Sequence, residues 1–207
     1  MSKGLFITVE GIEGAGKTTN MLFIRSVLEQ AGYPVATTRE PGGTPFAEEI
    51  RELLLSPRVE PVIPLAELLL MFAARAQHLE QKIKPWLNSG INVLSDRFTD
   101  ATYAYQGGGR GMNWQVIEVL ENMVQQEFQP DVTLLLKIEP ELGMSRAGKR
   151  GELDRFEREQ LDFYQRVQDA YLKRASEQPR RYCVIDAGQT LETIQQEIQD
   201  KLLAKIL

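Results

Sequence analysis

The sequence predicts an α/β fold of three layers, with a five-stranded, mostly parallel sheet flanked by helices, and three observations carry that prediction. Short apolar runs rich in β-branched residues recur along the chain, segments of helical character separate them, and the first run ends in a glycine-rich turn. Leu5-Phe6-Ile7-Thr8-Val9 is apolar enough for a strand buried on both faces. Helical character follows from Thr18 to Ala31, and Pro34-Val35-Ala36-Thr37-Thr38 is a weaker strand. Pro57, Pro61 and Pro64 punctuate a short loop ahead of a helical segment from Leu65 to Asn88. The runs from Gly90 to Ser95, Asp131 to Ile138 and Tyr182 to Asp186 complete the set of strands. Between them, Gly107-Gly108-Gly109-Arg110-Gly111 reads as a loop, and helical character resumes from Phe156. Leu191, Ile194, Ile198, Leu202, Leu203 and Ile206 recur at three- and four-residue steps, the spacing of one helix face. Without an internal repeat or a linker, residues 1–207 are expected to form a single domain.

Composition narrows the function classes. With 24 basic and 29 acidic residues the net charge is -5, which disfavours broad attraction to a nucleic acid polymer or an anionic membrane. Any anion must then be held by a local site. Cys183 is the only cysteine and His78 the only histidine, which excludes an internal disulfide, a Cys/His zinc site and a Ser-His-Asp triad. No apolar run approaches the ~18 residues of a membrane span, and the N-terminus has no signal-peptide pattern, so the expected location is the cytoplasm.

Gly11-Ile12-Glu13-Gly14-Ala15-Gly16-Lys17-Thr18 matches the P-loop pattern G-x-x-x-x-G-K-[ST] between a predicted strand and a predicted helix, the context the motif requires. The glycines let backbone N–H groups turn inward around phosphates, and the helix adds its positive end. Lys17 can reach the β- and γ-phosphates and the Thr18 hydroxyl can ligate Mg²⁺. The expected architecture is thus a three-layer P-loop NTPase fold. The guanine-reading N-K-x-D segment of GTPases is absent. Arg39 and Arg97 each follow a predicted strand, at the carboxyl edge where open α/β sheets bind ligands. Glu10 and Asp96 end strands beside the loop and are candidates to hold Mg²⁺, directly or through water, or to orient Lys17 or an arginine.

Together with the P-loop, the segments Thr38-Arg39-Glu40-Pro41-Gly42-Gly43-Thr44, Phe72 to His78, Ser95-Asp96-Arg97-Phe98, Tyr103 to Gly109 and Arg150 to Arg155 closely resemble the bacterial thymidylate kinase family, in order and over nearly the whole chain. The resemblance implies transfer of the γ-phosphoryl group of ATP to dTMP, giving dTDP and ADP, with Mg²⁺ as cofactor, in a homodimer. It implies ATP binding by Gly11 to Thr18 with Thr19, and acceptor-phosphate contacts from Arg39, Arg51, Arg75 and Arg97, whose forked donors suit a phosphate. Glu13 matches the acid that bonds the sugar 3′-hydroxyl, and Thr102 and Gln106 match contacts to the thymine edge. Glutamine carries the donor and acceptor that thymine requires. Pro41 and Tyr105 complete the implied acceptor site, and either Met71 or Phe72 covers the ring or both belong to the core. The Leu68 to Phe72 stretch is a candidate dimer face, and a monomer core explains it as well. The P-loop holds Gly14-Ala15 where part of the family has an arginine, so a short lid at about 143–155 is expected to supply that charge through Arg150.

Overall fold

Strand β1 (Phe6–Glu10) is buried along its whole length because it lies at the centre of the sheet, between β3 (Asn92–Asp96) and β4 (Val132–Lys137). The computed structural model describes residues 3–148 and 154–206. Its five strands run in the order β2-β3-β1-β4-β5, with β2 at Val35–Arg39 and β5 at Tyr182–Asp186. Every pairing is parallel, where the sequence predicted a mostly parallel sheet. Alternate residues of β1 therefore face opposite layers. Ile7 and Val9 join the larger core with Ile24, Leu28, Leu134 and Leu136, while Phe6 packs with Leu79, Ile83, Val93 and Phe98. Parallel strands also bring their carboxyl ends to one edge, and Glu10, Arg39 and Asp96 all lie there.

The helices cover both faces. Helix α1 (Lys17–Gln30) leaves the β1 turn, and α2 (Pro45–Leu55) begins at Thr44, whose side chain accepts a bond from the Ala47 N–H at 3.2 Å. Helix α3 (Pro64–His78) starts with the last proline of the predicted loop and passes through a π-helical turn, Leu79–Ile83, into α4 (Lys84–Asn88). That widened turn precedes Pro85, whose missing N–H would otherwise break the regular ladder. Helices α5 (Thr99–Thr102), α6 (Trp114–Gln125), α7 (Pro140–Ala147), α8 (Leu161–Glu177) and α9 (Leu191–Ile206) complete the layers. Among the described residues no helix is long and apolar enough to cross a membrane.

One expectation needs correction. The triple glycine predicted as a loop is helical, the end of a π-helical segment at Tyr103–Gly109 that packs against α8. A Cβ on Gly108 would come within 2.5 Å of the Arg166 carbonyl oxygen, so the glycines permit close approach of two helices rather than a turn. Of the two readings of the Leu68 to Phe72 stretch, the core accounts for Leu68 and Phe72, which are buried against Tyr103 and Ile117, while Leu69 is exposed.

One charged cluster ties α5, α8 and the approach to β5 together. The buried Asp100 accepts from Arg174 Nε at 3.0 Å and from Arg181 Nη1 and Nη2 at 2.6 and 2.7 Å. Burial alone would raise the Asp100 pKa, but the bonds and charge of Arg181, with the charge of Arg174, hold it below the usual carboxylate range. Such a group stabilises the fold above its unfolded pKa of about 3.9 and loses that contribution as pH falls further. Asp100→Asn leaves two guanidinium groups without their counter-ion, a loss of about 3–5 kcal/mol at pH 7. Thermal melts of both proteins should show this gap narrowing below pH ~4; a gap independent of pH would contradict the account.

Candidate active site

The turn after β1 wraps tightly because three of its glycines, Gly11, Gly14 and Gly16, hold positive φ. At Gly14 no side chain fits: a Cβ would lie 2.0 Å from the carbonyl oxygen of Gly143 on α7. Lys17 opens α1, and its Nζ lies 3.2 Å from the carbonyls of both Gly11 and Ile12 and 3.8 Å from Glu13 Oε2. Burial, then the nearby charge of Arg97, depress the Lys17 pKa. Ile12 and Ala15 pack into the core, leaving only their backbones for a ligand, while Thr18 and Thr19 are exposed on the first turn of α1.

Beside the loop lies a cavity of about 290 Å³, open along the carboxyl edge of the sheet. Arg97 links most of its walls. The residue follows β3 with a φ of 70°, a conformation uncommon for a bulky side chain, and its carbonyl accepts from Ser95 Oγ at 2.8 Å. Its Nη1 donates to the Gly11 carbonyl and to Tyr171 Oη, both at 3.0 Å. Its Nη2 donates to Glu13 Oε1 at 2.6 Å and to Tyr105 Oη at 2.8 Å. Burial opposes the charge of Arg97, but Tyr105, Glu13, Tyr171 and Asp96 hold its pKa above the ordinary arginine range. Tyr105 also donates to Glu13 Oε1 at 3.0 Å.

Further cations line the same cavity. Arg39 is paired with Glu48 at 2.8 Å, and Arg51 donates to the Pro41 carbonyl at 2.8 Å. Burial, followed by the positive charges of Arg39 and Arg97, lowers the Arg51 pKa. This is repulsion that a bound anion would relieve. Arg75 lies apart from that group in its bonding: Nε donates to Glu40 at 2.7 Å and Nη2 to Thr102 Oγ1 at 3.0 Å. Its buried Nη1 has no partner and belongs to a residue that lines the cavity. Behind it, Glu40 also meets His78 Nδ1 at 3.1 Å, and His78 Nε2 lies 2.6 Å from Thr38 Oγ1. Burial would raise the Glu40 pKa, but Arg75 and His78 hold it below the usual range.

Most of the residues expected from sequence converge here. Glu13, Gly14, Gly16, Lys17, Thr18, Arg39, Pro41, Arg51, Met71, Arg75, Asp96, Arg97, Thr102, Tyr105 and Gln106 line the cavity. Two expectations change. Phe72 is absent from the lining, because its neighbouring helical position turns it toward Tyr103 and Ile117, and Met71 takes the cavity side. Glu10 is fully enclosed: Oε1 accepts from the Phe98 N–H and Oε2 from Tyr171 Oη, both at 2.8 Å, and burial, with Asp100 adding, pushes its pKa up to about 8. Its geometry suits orienting Tyr171 and the β3 end rather than ligating a metal. Arg75 lines the cavity together with Arg39, Arg51 and Arg97, and is held there by its bonds to Glu40 and Thr102. Arg150 lies outside the described residues.

Asp96 Oδ1 is buried and unpartnered, and the Thr18 hydroxyl is the other oxygen group of the candidate set that lines the cavity. An acceptor-only oxygen without a donor, in a cavity that an exposed hydroxyl also lines, is suited to a hard cation and its waters. Sequence reasoning missed Glu40, Glu67, Phe98, Phe156 and Tyr171. Glu40 lay inside a motif already singled out, and Glu67 is a carboxylate set in an otherwise apolar helix stretch, a signal that was present. Tyr171 has no local pattern to mark it.

Comparison with known proteins agrees with this geometry. The thymidylate kinase family model matches residues 9–198. A thymidylate kinase of Hahella chejuensis is 68% identical over 206 residues, covering 100% of this chain and 99% of its own length. One from Ectopseudomonas mendocina is 56% identical over 204 residues, covering 99% and 97%. The crystal structure of thymidylate kinase from Ehrlichia chaffeensis superposes with a TM-score of 0.79 at 32% identity, covering 97% of this chain and 99% of that one. The chain belongs to the thymidylate kinase family, and its reaction is the ATP-dependent phosphorylation of dTMP to dTDP.

Proposed function

We propose that dTMP lies in the cavity with its phosphate among Arg39, Arg51 and Arg97 and its base toward Arg75, Thr102 and Gln106, with Met71 against the ring. ATP then approaches over the loop from Gly11 to Thr18 and Thr19. The observation that carries this reading is the concentration of Lys17, Arg39, Arg51, Arg75 and Arg97 around one cavity in a chain of net charge -5. Glu13 stands between Lys17 and Arg97, where its carboxylate can accept the sugar 3′-hydroxyl while Tyr105 and Pro41 bound the sugar side. The whole chain acts as one catalytic unit in the cytoplasm.

The chemistry asks for position and charge more than for proton transfer. An acceptor phosphate oxygen attacks the γ-phosphorus in line with the departing ADP oxygen. Lys17 leaves its loop carbonyls for the β- and γ-phosphate oxygens, and Arg97 stays fixed by its carboxylate and tyrosine partners as charge shifts between the reactants. Arg150, carried by the lid at about 143–155, adds the second arginine at the transferring group and helps exclude water. Thr18 and Asp96 would hold Mg²⁺, and the unpartnered Oδ1 of Asp96 supports that role. Mg²⁺, when bound, supplies charge neutralisation on the phosphates. A homodimer is supported by the exposed Leu65 and Leu69 of α3 and Val116, Val119 and Met123 of the adjoining α6.

Two measurements test these assignments. Lys17→Ala should lower kcat by about 10²-fold or more with an unchanged melting temperature, read by ADP release with ATP and dTMP; near-normal turnover would remove Lys17 from the mechanism. Asp96→Asn should raise the magnesium concentration for half-maximal turnover by about tenfold or more while the KM for dTMP holds. An unaltered magnesium dependence would exclude Asp96 as a metal contact.

A further inference from the structure

Glu67 is a carboxylate with no exposed surface on a helix whose neighbours Leu68 and Phe72 belong to the core. Burying such a group costs several kcal/mol unless its partners compensate. Its two oxygens are divided between different tasks. Oε1 accepts from Gln106 Nε2 at 2.7 Å, with Arg110 Nε farther off at 3.5 Å, and Oε2 accepts from Arg155 Nη2 at 2.5 Å. The firmest bond of Arg110 goes elsewhere, to Glu159 at 2.5 Å.

We propose that Glu67 is a positioning residue that sets the base preference by fixing which way round the Gln106 amide points. A carboxylate held between two guanidinium groups only accepts, so the amide nitrogen of Gln106 must face it. The Gln106 Oε1 accepts no hydrogen bond among the described residues and is the amide atom left for the cavity that Gln106 lines. An acceptor there matches a pyrimidine whose ring N3 carries a proton, as thymine does. It opposes a 4-amino pyrimidine, whose N3 is itself an acceptor. A free glutamine would turn over and serve both; Glu67 removes that choice. The inference rests on the reading, made above, that Gln106 meets the base.

The test is the ratio of kcat/KM for dTMP to that for 5-methyl-dCMP, which differs from dTMP only at the 4-position and N3. It is measured on the full chain, with melting curves for each variant. Glu67→Gln lets residue 67 donate or accept, so the Gln106 amide is free to turn, and the ratio should fall by at least about tenfold. The swap Glu67→Gln with Gln106→Glu again pairs one amide with one carboxylate and keeps an acceptor toward the base; it should restore the ratio to within about threefold of the parent. If Glu67→Gln slows both substrates equally and leaves the ratio unchanged, Glu67 serves only the arginines and the proposal is overturned. Should Glu67→Gln fail to fold, the swap decides alone, supporting the proposal by keeping the preference and overturning it by losing it. Gln106→Ala separates the two layers of the argument. A ratio lost in Gln106→Ala but kept in Glu67→Gln overturns the role of Glu67 and leaves the base contact standing. A ratio kept in Gln106→Ala removes the base contact and the proposal with it.

Discussion

The guanidinium of Arg97 is the junction on which the site depends. Its two terminal nitrogens reach the loop after β1, the carboxylate of Glu13, the π-helical segment through Tyr105 and α8 through Tyr171. A charge with only 14% of its side chain exposed is tolerated best when its partners are already in place. The positive φ at Arg97 is therefore sustained by the assembled sheet edge rather than by local preference. If the acceptor phosphate binds as proposed, it meets a cation that needs no reorganisation, the condition under which electrostatic stabilisation is most effective.

Around that junction the cavity is organised by carboxylates that each restrain a cation or an amide. Glu13 restrains Arg97, Glu40 restrains Arg75, Glu48 restrains Arg39 and Glu67 restrains Gln106. The acidic balance of the chain and the cationic character of its cavity are thus compatible, because acids sit behind the donors and leave donor atoms such as Arg75 Nη1 unpartnered. Like-charge repulsion remains between Arg39, Arg51 and Arg97, and it favours an anion over water.

The parts legible in the sequence were those whose physics is local. The apolar run of β1, the glycine turn and the lysine after it form a contiguous unit, and periodicity alone identified α9. Strand ends were legible because a parallel sheet gathers them at one edge, so Arg39, Asp96 and Arg97 came together as expected. The rest depends on tertiary packing. Met71 and Phe72 differ by one step around a helix, and the packing of Phe72 on Tyr103 and Ile117 decides which of them faces the cavity. The Gly107 to Gly109 run reads as flexible backbone until α8 is known to lie against it. Glu10 read as either a metal ligand or an orienting acid by its place at a strand end, and only a tyrosine 161 positions later, closing over it, favours the second role.

The most direct test of this account is Arg97→Lys, followed by steady-state turnover with ATP and dTMP and by thermal melting. The lysine keeps the charge but cannot span Gly11, Glu13, Tyr105 and Tyr171 at once. The account predicts a fall in kcat of about 10²-fold or more, with the protein still folded. Turnover within about threefold of the parent would contradict it, because a single positive charge would then be enough.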